Sequence, residues 1–463
     1  MLGMILAGGG GTRLWPFSRY MSPKQFLNLG STHESLLQET YQRLSSLVLK
    51  EDIFIVGSTH HEFELIHQID QIAPDFPRRN LLFEPQGRNT APAILWAVFC
   101  VSKSNLDEPM IILPADHLIP DREGFHKYLQ QGAVLAREKW IVTFGIKPEH
   151  PETGYGYIKS GNPLSQGFRV EKFVEKPDQA TAEKYLDSGK YTWNSGIFMC
   201  TPRVLMEEYQ KQVPEMFEVF SKYRDTGKSF LDEDVINAIY GEVQADSIDY
   251  AILEKSDRVS VLPLDIAWSD LGSWESIHQV SKKDDENNAI QGNVVLHDTR
   301  NCLIFTTKKL VTSIGIENLI IVETDDALLV CDLSRSQDVK KLVDTLKEED
   351  RYEYKFHRTI LRRWGRSTIL YETPGYQIKN VEILPGMYLS RQRHQHRSEH
   401  WIVVKGTADV LRDDEQFLLN ESESTHIPRT IVHRLGNPGT TPLEIIEIQL
   451  GEHLDDDIER LEQ

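Results

Sequence analysis

Cysteine is scarce. There are four in 463 residues, at 100, 200, 302 and 331, and none forms a Cys-x-x-Cys pair. Such isolated residues read as reduced, mostly structural thiols of a cytoplasmic protein. No apolar run approaches the length of a membrane span. No basic segment precedes the first apolar residues, so a secretory signal is not expected either. Positive charge is also short: 51 Lys and Arg against 70 Asp and Glu leave a net charge of −19. That balance argues against nucleic acid or an anionic membrane as a partner, and any phosphorylated ligand must find a local cationic pocket. Two familiar phosphate loops are missing as well. Arg13 stands where a dinucleotide fingerprint starting at Gly8-x-Gly10 needs glycine, and no Gly-Lys-Ser or Gly-Lys-Thr occurs.

What is present near the start is Gly8-Gly9-Gly10-Gly11-Thr12-Arg13-Leu14-Trp15-Pro16, directly after the apolar segment Met4–Leu6. Four glycines allow a tight turn with main-chain N–H groups open to phosphate oxygens. Arg13, Arg19 and Lys24 follow as a cationic set; Arg13 would fork onto phosphate and Lys24 would act as a point charge. With Ser22-Pro23-Lys24-Gln25-Phe26-Leu27, the stretch resembles the signature of nucleoside-diphosphate-sugar pyrophosphorylases, and within them the mannose-1-phosphate guanylyltransferase branch.

Strand-like runs Met4–Leu6, Ile53–Val56 and Met110–Leu113 alternate with helical periodicity over Ser35–Leu47, Thr90–Val101 and Gly124–Lys139. The alternation predicts an α/β, Rossmann-like domain over residues 1–280, with a mainly parallel sheet and ligands at the carboxyl ends of its strands, and the resemblance implies that it is a nucleotidyltransferase domain. Asp116, in Pro114-Ala115-Asp116-His117, falls at that edge. Alone it reads as a cap. Asp270, in Trp268-Ser269-Asp270-Leu271-Gly272-Ser273-Trp274, supplies the companion, and the resemblance implies that the pair holds Mg²⁺.

The same resemblance implies a sugar-phosphate site from Tyr155 and Gly156, Glu175 and Lys176 in Phe173-Val174-Glu175-Lys176-Pro177, and Asn194 in Trp193-Asn194-Ser195-Gly196-Ile197-Phe198. Exposed Glu-Lys neighbours are usually solvated surface. Gly87, Arg88 and Asn89 resemble a base-reading loop; Asn89 or Thr90 also suits a helix N-cap, and both readings are compatible. Asp249, in Ser247-Ile248-Asp249-Tyr250-Ala251, carries no assigned role.

After a charged boundary at 281–288, five short β-rich runs between 289 and 333 predict a β-helix-like module. Ser334–Tyr354 reads as one amphipathic helix, and Lys355–Ser367 as a basic connector. The module with its linker helix spans 289–354 and a third, all-β domain 368–463. In that last domain strands are expected at Ile378–Leu384, Tyr388–Gln392, His400–Lys405, Ala408–Leu411 and Leu443–Gln449.

Gln392-x-His394, Glu399 and the later His433 resemble the two motifs of the cupin superfamily, with Gln392 in place of the first His, and Gln392 and His394 are expected on one strand face. Two imidazoles, a carboxylate and an amide suit Zn²⁺ or another first-row divalent ion. His396, assigned to the same face, would take metal or substrate. The run from Leu389 to Trp401, with His433-Arg434-Leu435 and Asp456-Asp457-Ile458-x-Arg460, resembles the mannose-6-phosphate isomerase half of bifunctional type II enzymes. Thr430 stands where cupins commonly carry glycine.

The resemblance implies two reactions. GTP and mannose 1-phosphate give GDP-mannose and pyrophosphate, with Arg13, Lys24, Asp116 and Asp270 catalytic and Gly8–Gly11 and Thr12 on the nucleotide. Fructose 6-phosphate and mannose 6-phosphate interconvert in the cupin domain, with His396 and Arg460 toward substrate and an unassigned general base. The alternative is a monofunctional nucleotidyltransferase whose cupin binds metal without catalysis. A homo-oligomer is compatible with either.

Overall fold

The computed structural model describes residues 1–29, 34–101, 105–224, 226–451 and 457–461. Its chain forms two compact units, one of Met1–Glu323 with Leu328–Glu349, the other of Thr324–Ala327 with Asp350–Gln463.

The first unit is built on β1 (Leu2–Leu6), β2 (Ile53–Ser58), β3 (Leu81–Glu84), β4 (Met110–Pro114), β5 (Ile141–Ile146), β6 (Tyr157–Pro163), β7 (Phe168–Val174), β8 (Tyr191–Cys200) and β9 (Val259–Leu264). They form one sheet in the order β3-β2-β1-β4-β8-β5-β9-β7-β6. The expected parallel pairing holds for β3, β2, β1 and β4 and for β5 with β9. The pairings of β8 with β4 and β5, and of the β6–β7 hairpin with its neighbours, are antiparallel, so the sheet is mixed.

The apolar strand runs are continuous because both faces are covered. Met4, Val56 and Ile112 enter the core on one face, and Ile5, Ile55 and Ile111 the core on the other. On the second face pack α1 (Leu36–Ser45) and α2 (Glu62–Ile72); α3 (Thr90–Cys100) covers the first, and α4 (Arg122–Arg137) joins the second. Parallel β1, β3 and β4 bring the glycine run, Glu84 and Asp116 to one sheet edge.

The β-helix-like module also packs within the first unit. Ala289–Gln291, Leu303–Thr306 and Leu319–Glu323 stack in parallel, as do Val294–His297 and Val311–Ile314; Leu328–Asp332 closes the stack antiparallel. Its coils turn on Asn287, Asn301 and Asn318, all at positive φ (63°, 48° and 58°). Asparagine tolerates this left-handed backbone better than most residues. Their amides form a ladder, Asn287 donating to Asn301 and Asn301 to Asn318 at 2.6 Å.

The single helix expected over Ser334–Tyr354 is instead three pieces: a 3₁₀ segment Leu333–Asp338, a helix Val339–Glu348 and a one-turn helix Tyr352–Lys355. Asp350, at φ 51°, breaks it. The expected connector is also corrected, since Thr359–Arg362 and Gly365–Thr373 pair as a hairpin.

In the second unit, a six-stranded sheet contains that hairpin, Tyr376–Ile383, Leu443–Gly451, Arg397–Lys405 and Ser424–Ile427. A five-stranded sheet contains Glu415–Leu419, Ala408–Arg412, His433–Gly436, Gln392–Arg393 and Glu459–Arg460. Val381, Trp401, Val403 and Ile445 of the first sheet share a core with Ala408, Val410 and Leu435 of the second, which makes the expected cupin barrel. The strand expected over Tyr388–Gln392 is only Gln392–Arg393 with an isolated bridge at Tyr388.

Asn301 joins a demanding backbone to the ladder. Asn301→Val places a β-branched residue at positive φ and should destabilise the first unit by about 2 kcal/mol. Asn301→Gly, which keeps the backbone and loses only the ladder, should cost less; urea unfolding of both variants measures the difference.

Candidate active site and metal centre

The glycine run leaves β1 at the sheet edge with Gly8, Gly9 and Gly10 exposed. Gly11, at φ 33°, turns the chain into the 3₁₀ segment Thr12–Leu14. A Cβ on Gly11 would sit 2.7 Å from Lys24 Cβ, so glycine is what lets the Lys24 segment close on the loop. Gln25 holds the loop from below, its Nε2 donating to the carbonyls of Ala7 (2.8 Å) and Gly9 (3.0 Å). The sequence pattern included Gln25 without suggesting this role.

Lys24 is 6% exposed. Its Nζ lies 2.6 Å from Asp116 Oδ2 and also donates to the Asp270 carbonyl. The two aspartates, far apart in sequence, are brought together by a short bridge: Leu118 N donates to Ser269 O at 2.9 Å, and Ser269 N to Leu118 O at 3.1 Å. Asp270 Oδ1 accepts from Tyr155 Oη (2.6 Å) and Gly272 N (2.9 Å). Burial pushes the Asp116 carboxyl up, but Lys24 and His117 outweigh it and hold the group below its ordinary range. Tyr155 is pushed well up, by burial and then by the Asp270 carboxylate, so it stays a donor. Two carboxylates on facing loop segments offer hard oxygen ligands and leave the remaining positions to water or phosphate, a donor set that fits Mg²⁺.

Arg13 is exposed just after the glycine turn, near enough for its charge to act on Tyr155. Thr12 is half-buried beside it. Arg19 is corrected as a phosphate group: it is fully buried, with its guanidinium 5.2 Å from the Trp15 ring.

A second cluster adjoins. The Gly156 carbonyl accepts from Asn194 N (2.7 Å), and a Cβ on Gly156 would stand 2.5 Å from Glu175 Oε2. Glu175 Oε1 pairs with Lys176 Nζ at 2.8 Å, and its Oε2 is buried with no hydrogen-bond partner among the described residues. Asn194 Nδ2 donates to Asp249 Oδ1 at 2.9 Å. Asp249, left without a role by the sequence, opens a π-helical turn, Asp249–Leu253. Burial and then the Glu175 charge push its carboxyl up to about 6.

The Gly87–Asn89 loop is tied down. Arg88 Nε donates to the Tyr240 carbonyl at 3.2 Å, and Asn89 Oδ1 caps α3 by accepting from Thr90 N at 2.9 Å. Gly87 is exposed at its tip. Glu84, at the end of β3, reaches the glycine run: a Cβ on Gly8 would be 2.9 Å from its Oε2. The sequence gives it no role. Burial pushes its carboxyl up to about 7, offset in part by the Tyr240 hydroxyl, which donates at 3.0 Å.

In the second unit, His394, Glu399 and His433 are buried, with ligand atoms all within 4.8 Å of one another. His394 Nδ1 donates to the Asp457 carbonyl (2.8 Å) and His433 Nδ1 to the Ile431 carbonyl (2.9 Å), which fixes the rings with Nε2 inward. His394 Nε2 lies 3.1 Å from Glu399 Oε1; His433 Nε2 is buried without a hydrogen-bond partner among the described residues. An orphan imidazole nitrogen beside a second imidazole and a carboxylate fits a first-row divalent ion. Burial pushes Glu399 up, yet the His394 hydrogen bond and the surrounding positive charge hold it well down. Burial lowers His433, which favours the neutral ring a metal needs.

Gln392 stands opposite His433 in the strand register, next to this triad. The shared strand face expected for His394 and His396 is corrected. The chain bends over 394–396, where the Asp457 carboxylate accepts from Gln395 N (3.0 Å) and His396 N, and this leaves His394 buried and His396 exposed. Asp456 lies outside the described residues. Arg460 pairs with Gln392 and is exposed. Arg397, which lies in the Leu389–Trp401 run but is given no role by it, reaches both Glu399 Oε1 and His394 Nε2 at 3.3 Å.

Three family descriptions match: nucleotidyl transferase over residues 2–287, MannoseP isomerase/GMP-like β-helix over 292–346, and mannose-6-phosphate isomerase C-terminal over 349–463. The chain is 43% identical to mannose-1-phosphate guanylyltransferases of Klebsiella pneumoniae and Escherichia coli, in each case over 100% of this chain and 98% of the relative. A crystal structure from Thermus thermophilus, described as a mannose-1-phosphate geranyltransferase, superposes with a TM-score of 0.67 at 32% identity, covering 75% of this chain and 99% of that one.

Glu84 gives a pH signature. With its pKa raised from 4.5 to about 7, the folded chain holds a proton that the unfolded chain has already lost between those values. Stability therefore falls as pH rises through that window, by up to about 3 kcal/mol. Glu84→Gln should flatten this slope in urea unfolding followed from pH 4 to 8.

Proposed function

The chain belongs to the mannose-1-phosphate guanylyltransferase family that joins a nucleotidyl transferase domain to a mannose-6-phosphate isomerase C-terminal domain, and on that premise we propose two activities divided between residues 1–280 and 368–463. The first is transfer of GMP from GTP to mannose 1-phosphate, giving GDP-mannose and pyrophosphate. A phosphate oxygen of the sugar attacks the α-phosphorus in line, so positioning and charge neutralisation carry the catalysis.

The observation that carries this reading is the buried Lys24 ammonium held between Asp116 and the Asp270 carbonyl, beneath the open glycine run. Gly8–Gly11 and Thr12 would offer main-chain donors to the triphosphate, while Arg13 and Lys24 neutralise it. Mg²⁺ on Asp116 and Asp270 would add positive charge to the phosphates. Gly156, Glu175, Asn194 and Asp249 would take mannose hydroxyls, Lys176 the sugar phosphate, and Tyr155 would hold Asp270 in place. Gly87, Asn89 and the backbone of Arg88 would border guanine.

The second activity is interconversion of fructose 6-phosphate and mannose 6-phosphate in the barrel, with Zn²⁺ or a related ion on His394, Glu399 and His433 and Gln392 beside them. When bound, the ion would polarise the substrate carbonyl. Arg460 would face the substrate phosphate. Polar lining of the barrel around the triad favours this over a metal site without catalysis. A cytoplasmic setting agrees with four free thiols and phosphorylated substrates; no helix among the described residues is long and apolar enough to cross a membrane.

Lys24→Ala should lower kcat for GDP-mannose synthesis about 10²–10³-fold, and an unchanged rate overturns its role. Removing divalent metal should abolish isomerisation, and added Zn²⁺ or Co²⁺ should restore it. The His394→Ala/His433→Ala double variant should fail to recover with either ion while still making GDP-mannose; coupled assays of both reactions check this.

A further inference from the structure

The inner face of the barrel changes character along its axis. Toward one end, Val381, Ile383, Val403, Leu443 and Ile445 form an apolar plug. Toward the other, the same three strands turn Lys379, Arg397, Glu399, Glu447 and Gln449 to the same face. Burying Arg397, Glu399 and Glu447 on one face is expensive, and the metal triad accounts only for Glu399. Glu447 is 8% exposed. Across one neighbouring strand it pairs with Lys379, across the other with Trp401. Directly paired residues have adjacent side chains on one face, so half-buried Lys379 shares this face with Glu447 and its charge acts on the carboxylate. Gln449 links this carboxylate to the triad, its Nε2 donating to Glu447 Oε1 and approaching Glu399 Oε1 at 3.4 Å. Glu447 thus stands one side chain away from the candidate metal ligands without being one.

We propose that Glu447 is the catalytic group that carries a proton between C1 and C2 of the hexose 6-phosphate in this barrel, with Lys379 balancing the charge that develops on the substrate oxygens. The proposal rests on the isomerase reading above and supplies the general base that the sequence leaves unassigned. From open-chain fructose 6-phosphate, the Glu447 carboxylate takes a proton from C1. The C1–H electron pair becomes the C1=C2 bond, and the carbonyl pair moves onto O2, where Lys379 offsets the charge. The O1 hydroxyl proton passes to O2, the O1 pair forms the new C1=O bond, and Glu447 returns its proton to C2. C1 is oxidised by two electrons as C2 is reduced by two, so no external oxidant or reductant is needed.

Burial, then the Glu399 charge, push the Glu447 carboxyl up to about 7, while Lys379, Gln449 and Arg397 oppose the rise.

The test uses the full-length protein loaded with Co²⁺. In D₂O the wild type should place solvent deuterium at C2 of mannose 6-phosphate, and Glu447→Gln should lower that exchange by about 10²–10⁴-fold. Bound Co²⁺ per chain and fructose 6-phosphate affinity by calorimetry should stay near wild type in Glu447→Gln, and Glu447→Asp should recover part of the exchange. Wild-type exchange in Glu447→Gln overturns the proposal. So does loss of metal and sugar binding together with exchange, which would make Glu447 structural. A wild-type protein that binds Co²⁺ and makes GDP-mannose yet neither exchanges nor isomerises overturns the isomerase reading itself, and the proposal with it.

Discussion

One buried ammonium ties the first unit's chemistry together. Lys24 sits under the glycine run, against the Asp116 carboxylate and the Asp270 carbonyl, and each contact depends on a different part of the fold. Its approach to the loop requires Gly11; its carboxylate partner requires β4 to end beside β1; its carbonyl partner requires the bridge between Leu118 and Ser269. A buried cation without partners would be costly, so these elements support one another. The same arrangement leaves exposed main-chain N–H groups above a positive charge, which is how a chain with net charge −19 can present a site for a triphosphate.

The second unit uses charge differently. Its ligand cluster gathers lone pairs inside a barrel, with backbone carbonyls of Asp457 and Ile431 aiming two imidazoles inward. Around it the inner face stays polar for several positions before the apolar plug begins. In both units ionisable side chains lie within or beside a packed core, and in both the backbone around them is held by local hydrogen bonds: Gln25 under the glycine loop, the Asp457 carboxylate under the bend at 394–396. The β-helix-like module contains nothing comparable among the described residues; its asparagine ladder and buried Glu323, which accepts from Thr306 at 2.8 Å, serve to hold coils together.

Much of this was legible in one dimension. Met4–Leu6, Ile53–Val56 and Met110–Leu113 read as buried strands because sheets covered on both faces need unbroken apolar runs. Spacing picked out His394, Glu399 and His433, and motif resemblance paired Asp116 with Asp270. Failures came where a local period was extended too far. Alternation predicted one face for His394 and His396, but a side-chain carboxylate from the far end of the domain bends the chain between them. Helical charge patterning ran through Asp350, whose positive φ ends the helix. Arg19 resembled a phosphate ligand only because it neighbours residues that do face the loop.

The sequence by itself determined the order of modules, the residue types available for chemistry and the strands that carry them, because periodicity and turn residues are local properties. Only the tertiary structure decided which groups share a microenvironment. It brought Glu84 against Gly8, Asp249 against Asn194 and Arg397 against the metal ligands, and it set Lys379 opposite Glu447 in the strand register. None of these pairs is close in sequence except Arg397 with its neighbours. Their juxtaposition follows from strand register and loop closure, and the pKa shifts that give Glu84, Asp249 and Glu447 their character come from burial, which no local pattern encodes.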